Sequence, residues 1–149
     1  MDNQTNSLYF QFFNEIGIIS QLSRALMDQR LPEGIATSHF SVLNHLIRVR
    51  DGRTPLALAQ AFQVPKTTMT HTLAGLAKHR FVALRPNPED GRSKCVWITE
   101  KGRAFRDQAI ASLAPDMAEL ARAFPPDRII ALIPELQAIR EFMDRQRGM

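Results

Sequence analysis

Along residues 54–101 the spacing of apolar side chains changes, and the changes mark out two helices followed by two strands. Thr54 is placed to cap a first helix, with Pro55 at its first position and Leu56, Ala59 and Phe62 as its apolar side. Gln63 and Val64 make a turn, and Pro65 opens a second helix. On that helix Met69, Leu73 and Leu76 recur at i, i+4 and i+7, one stripe facing a core. The opposite side carries Thr67, His71, Ala74, Gly75 and Lys78, flanked by Lys66, Thr68 and Thr70. Residues 81–85 and 94–99 then predict strands, and residues 86–93, rich in turn formers, predict the loop between them.

Longer stripes lie on either side. Residues 7–31 predict one helix with Leu8, Phe12, Ile16, Ile19, Leu22 and Met27 along one side. Leu31-Pro32-Glu33-Gly34 breaks it, and Ser38 is placed to cap the next, whose apolar side runs from His39 and Phe40 to Leu46 and Ile47. Asp51-Gly52-Arg53 is a tight turn, with Arg53 available as a short third strand. Past the strands, Thr99 caps a helix through Phe105, Ala109, Leu113, Met117 and Leu120, which Pro115 should kink or split. After a break at residues 124–127 a last helix carries Ile129, Ile133, Leu136 and Ile139, and Pro134 should interrupt it after two turns. The expected fold is mainly α with a small β-hairpin wing: one domain over residues 1–149, with a winged helix-turn-helix lobe at 37–103. The helices at 7–31 and 104–146 are too apolar for the surface of a monomer. A second subunit would cover them, making them dimerisation helices; the alternative is a bundle stacked within one chain.

Charge sharpens this picture. The chain carries a net +4, but residues 53–103 hold nine Lys and Arg against three acids, while residues 1–52 and 104–149 are each −1. The whole excess sits on the winged lobe, as a phosphate-binding surface requires. A single cysteine excludes an intrachain disulfide and fits a reducing compartment. The polar start and the lack of any membrane-length apolar run point to the cytoplasm and to no membrane role.

Hydroxyls, amines and very small residues on the outer side of the second helix suit the major groove of double-stranded DNA. Thr67, Thr68, Thr70 and His71 are the candidates for bases, and Lys66, Arg85 and Lys94 for phosphates. Arg92, beside Gly91 at the hairpin tip, is placed to enter the minor groove, with Asp90 holding the loop and the guanidinium. Gly75 is explained by close approach to DNA or to a neighbouring helix, or by chance. His39 and His45 fit structural or surface roles, Cys95 fits packing better than redox chemistry, and Trp97 fits packing better than base stacking. No nucleophile motif, paired carboxylates or metal-spaced cluster is present, so no enzyme, metal or cofactor is expected.

The run RPNPEDGRSKCVWITEKGR resembles the wing of the MarR family of bacterial transcriptional regulators. Members carry an Asp-x-Arg motif in the wing, here Asp90-Gly91-Arg92, and Leu-Thr-x-x-Gly entering the next helix, here Ile98-Thr99-Glu100-Lys101-Gly102. VPKTTMTHTLAGLAKHRFV is similar to the family's recognition helix and following strand. Two positions depart: Arg80 stands where the family usually has Gly, and His71 where it often has Arg. The resemblance implies a homodimeric, ligand-responsive repressor on a pseudo-palindromic operator. It also implies a small aromatic or phenolic effector, whose binding residues remain unknown. The alternative is a winged-helix protein-interaction module that never binds DNA.

Overall fold

The computed structural model describes residues 1–148. The order is α1 (Asn3–Arg30), α2 (Thr37–Arg48), α3 (Pro55–Phe62), α4 (Lys66–Lys78), β1 (Val82–Asn87), β2 (Asp90–Ile98), α5 (Glu100–Ala111), α6 (Ala114–Ala123) and α7 (Pro126–Arg147). The chain divides into two compact units, Met1–Ser112 and the part from Leu113 onward.

In the first unit, α1 starts earlier than its apolar stripe because Asp2 caps it, accepting the Thr5 N–H at 2.6 Å. That bond holds the Asp2 carboxyl below its ordinary pKa. Met27 is buried, but Leu8, Ile19 and Leu22 are exposed. The start of α2 is not capped by Ser38. Asp28, on α1, accepts the Thr37 N–H at 3.0 Å and also the Thr37 hydroxyl. Ala36 is the N-cap residue, and its N–H is taken by Nδ1 of His39 at 2.9 Å. A tertiary contact thus replaces the local cap that Ser38 suggested.

The core lies between α2, α3, α4 and the hairpin. Val42, Leu43, Leu46, Leu58, Leu76 and Val96 are its fully buried side chains, with Met69 and Leu73 beside them. Thr54 caps α3 as expected, accepting the Ala57 N–H at 3.1 Å. Leu58, not Leu56, is the leucine that α3 buries; Leu56 is 51% exposed. The turn ends α3 with Gln63 in the left-handed region (φ 53°).

The hairpin is longer than the sequence suggests. Pro86, Asn87 and residues 90–93 belong to strands, leaving Pro88 and Glu89 as the turn. Asn87 accepts the Glu89 N–H and donates to the Ser93 hydroxyl, both at 3.0 Å, so the turn formers brace the tip instead of opening a loop. The antiparallel register runs from Val82 opposite Ile98 to Pro86 opposite Lys94, then shifts to Asn87 opposite Asp90. Arg53 adds the expected third piece: its carbonyl accepts the Val96 N–H at 2.8 Å.

In the second unit Pro115 sits in the first turn of α6, so the expected long helix is split between α5 and α6. Pro134 does not interrupt α7, which runs unbroken over 22 residues. Proline removes one N–H there and costs roughly 3 kcal/mol, but the helix on both sides is long enough to continue through it. Neither α6 nor α7 buries a side chain. Among the described residues no helix is long and apolar enough to cross a membrane.

Candidate nucleic-acid interface

Helix α4 divides cleanly around its axis. Met69, Thr72, Leu73 and Leu76 are buried at i, i+3, i+4 and i+7. Lys66, Thr67, Thr68, Thr70, His71, Ala74 and Lys78 are exposed. The Thr70 hydroxyl donates to the Lys66 carbonyl at 2.9 Å, which leaves its lone pairs outward as an acceptor. The Thr72 hydroxyl does the same to Thr68 at 3.1 Å on the buried side. Gly75 is not part of the outer face. A β-carbon there would lie 2.7 Å from Nε2 of His39, so a neighbouring helix is what the glycine accommodates.

The turn after helix α4 uses a left-handed residue, and that residue is arginine. Arg80 has φ 62°. The Phe81 N–H reaches back to the Leu76 carbonyl and the Arg80 N–H to Ala77, both at 3.0 Å. The Arg80 carbonyl then accepts the Thr99 hydroxyl at 2.7 Å, while the same hydroxyl oxygen accepts the Gly102 N–H at 3.0 Å. A β-carbon on Gly102 would sit 2.2 Å from the Phe81 carbonyl oxygen. The Thr-x-x-Gly spacing is thereby explained: threonine joins the end of α4 to the start of α5, and glycine lets the two backbones meet.

Asp51 anchors the base of the hairpin. One carboxylate oxygen accepts the Gly52 and Ile98 N–H groups at 2.9 and 3.0 Å, and the other lies 3.6 Å from Arg103. The Trp97 ring covers Gly52, which has φ 71° and no room for a β-carbon, so Trp97 is a packing residue. Arg106 donates a fork of two N–H groups to the side-chain oxygen Oδ1 of Asn44 at 3.0 and 3.2 Å and ties α5 to α2. Arg53 meets Nε2 of His45 at 2.9 Å. None of these long-range pairs has a periodicity that could have announced it in the sequence.

At the tip, Asp90 accepts the Arg92 N–H at 3.0 Å and lies 3.5 Å from its Nε. The Arg92 side chain is otherwise open, 94% exposed. Gly91 does not use a left-handed backbone, since only Gly34 and Gly52 among the described glycines have positive φ. Arg85 stands opposite Cys95, and Lys94 opposite Pro86. Neighbouring residues of a strand alternate faces, so the hairpin turns Arg85 and Lys94 to opposite sides. Cys95 is buried. Among the described residues no group of histidine, cysteine and acidic side chains is arranged to hold a metal ion.

Behind the exposed side of α4 is a cavity of about 140 Å³, roughly the room that a benzene ring takes. Arg24, Ser38 and Ser41 line one part of it, and Phe62, Met69 and Thr72 another.

Residues 33–93 match the model of the MarR family. The HTH-type transcriptional repressor YetL of Bacillus subtilis is 30% identical over 98 residues, 65% of this chain. The chain spans only 59% of the length of that relative. An HTH-type transcriptional regulator of Mycobacterium bovis is 32% identical over 127 residues, 78% of this chain and 88% of that protein. A mutant MarR from E. coli, solved in complex with operator DNA, superposes with a TM-score of 0.68 at 24% identity, covering 93% of this chain and 99% of that one. With a matched family model on the lobe and a relative aligned over most of both chains, this chain belongs to the MarR family of winged helix-turn-helix transcriptional regulators.

Proposed function

We propose that the protein is a homodimeric, ligand-responsive repressor that binds a pseudo-palindromic operator. The observation that carries this is the two-sided α4: a closed, mainly apolar stripe inward, and outward hydroxyls, amines, an imidazole and alanine beside an exposed wing arginine. Thr67, Thr68, Thr70 and His71 contact bases in the major groove, with Thr70 as a hydrogen-bond acceptor. Lys66 contacts phosphate, joined by Lys94 or by Arg85 according to which side of the hairpin faces the backbone. Arg92 enters the minor groove, and Asp90 keeps it ordered beforehand, which lowers the cost of binding. The E. coli neighbour with operator DNA and the B. subtilis repressor support this assignment.

Helices α1, α6 and α7 form the dimer contact, because they leave large apolar side chains such as Leu22, Ile130 and Leu132 exposed. A small aromatic or phenolic effector fits the cavity behind α4, with the Arg24 guanidinium for an anionic group and Phe62 and Met69 for a ring. Filling it changes the pose of α4 and weakens DNA binding.

Selection of bound genomic fragments followed by footprinting tests the function. The expected protection is an imperfect palindrome with half-site centres about 10 base pairs apart. One asymmetric site held by one chain contradicts it. On the selected operator, Arg92→Ala should weaken binding several-fold and flatten the salt dependence by about one counterion, with the dimer intact. Asp90→Ala should also weaken binding, although it removes a negative charge near phosphate; tighter binding would mean that the acid only repels DNA.

A further inference from the structure

Gly75 lies inside α4, where glycine costs about 1 kcal/mol relative to alanine. The space it leaves is filled by His39 of α2, whose Nε2 would be 2.7 Å from any β-carbon at that position. The ring is not free to swing away, because its Nδ1 accepts the Ala36 N–H at 2.9 Å. Ala36 is the N-cap of α2 and His39 the third residue of the helix. The imidazole therefore takes the place that glutamine or glutamate holds in a capping box. Only the neutral ring, with its proton on Nε2, can accept that bond.

We propose that His39 is a positioning residue for DNA binding: as a neutral imidazole it closes the start of α2 and seats the recognition helix at Gly75, and when protonated it releases both. The inference rests on α4 being the DNA-reading helix. Protonation would set a second N–H against the Ala36 N–H and place a cation at the positive end of the α2 dipole. The titratable groups that bear on the ring are His79, the C-cap of α4, half-buried and stacked on Phe81, and exposed His71 on α4. Lys78 is the basic residue of the last turn of that helix. No carboxylate among the described residues is bonded to the ring. Desolvation first, then His79 and His71, hold the His39 pKa below its ordinary value. A lowered histidine pKa makes the neutral arrangement complete above the ordinary value of about 6.5 and progressively lost as pH falls below it.

The test measures affinity of the full chain for its selected operator at about pH 8 and about pH 5.5 at one ionic strength, with dimer mass and helix content followed in parallel. Wild type should weaken by at least about fivefold in acid. His39→Gln, which keeps an acceptor without a titrating group, should bind as wild type does at the higher pH and lose the acid effect. His71→Gln should keep it. Gly75→Ala should weaken binding at the higher pH, and weaken it less in the His39→Gln background, where a more flexible side chain can yield. An equal acid loss in wild type and His39→Gln, or tighter wild-type binding in acid, overturns the inference while leaving DNA binding established. A wild type that binds no DNA at the higher pH overturns the function itself, and this inference with it.

Discussion

The two compact units of this chain bury their apolar side chains to very different degrees. Around α2, α3, α4 and the hairpin, Leu43, Leu58, Leu76 and Val96 are 0% exposed, and the polar groups at the joints have partners. From Leu113 onward no side chain of α6 or α7 is buried, although Ile130, Leu132 and Phe142 are as apolar as the lobe's core. Composition alone does not separate the two. The lobe folds its stripes against one another, whereas α6 and α7 hold theirs open. Apolar area left in water contributes nothing to stability, so the closed core of the lobe stabilises it while the open stripes of α6 and α7 do not.

The largest effect that sharpens this contrast is Leu136→Asp in α7. If a second subunit covers that position, a carboxylate buried without a partner costs about 3–5 kcal/mol and the dimer separates. Sedimentation should then give the 16.9 kDa monomer with the lobe still folded; an unchanged dimer would mean that this part of α7 faces solvent. Leu43→Ala comes next. It opens a cavity in the closed core and should cost about 2–5 kcal/mol, seen as an earlier thermal transition without a specific loss of dimer. The smallest effect is Arg80→Gly. A left-handed backbone disfavours any side chain, so glycine should stabilise the lobe by about 1 kcal/mol. No gain in denaturant midpoint would mean that arginine contacts offset the strain.

What could be read in the sequence was what depends on neighbours along the chain. Thr54 and Pro55 start α3, Met69, Leu73 and Leu76 line the inside of α4, and Thr99 caps α5, because caps and stripes are local devices. What escaped depends on residues far apart. Ser38 looked like a cap, but Asp28, nine residues before Thr37, does that work. Residues 86–93 have a loop's composition, and only pairing across the hairpin makes most of them strand. Leu56 and Leu58 are equivalent until the direction of the core is known. His39 stood among apolar positions of α2, and nothing in its own helix pointed to Gly75 across the lobe.

The junction at Thr99 has a mechanical consequence. One hydroxyl holds the carbonyl that ends the turn after α4 and the N–H that begins α5, and Gly102 lies against the Phe81 carbonyl with no clearance for even a methyl group. Such a joint has no slack. Packed, hydrogen-bonded contacts of this kind hold discrete positions and do not stretch, so a tilt imposed on α5 is delivered to the C-terminal end of α4 almost undiminished. Helices α5 and α4 then turn about this joint as two coupled arms.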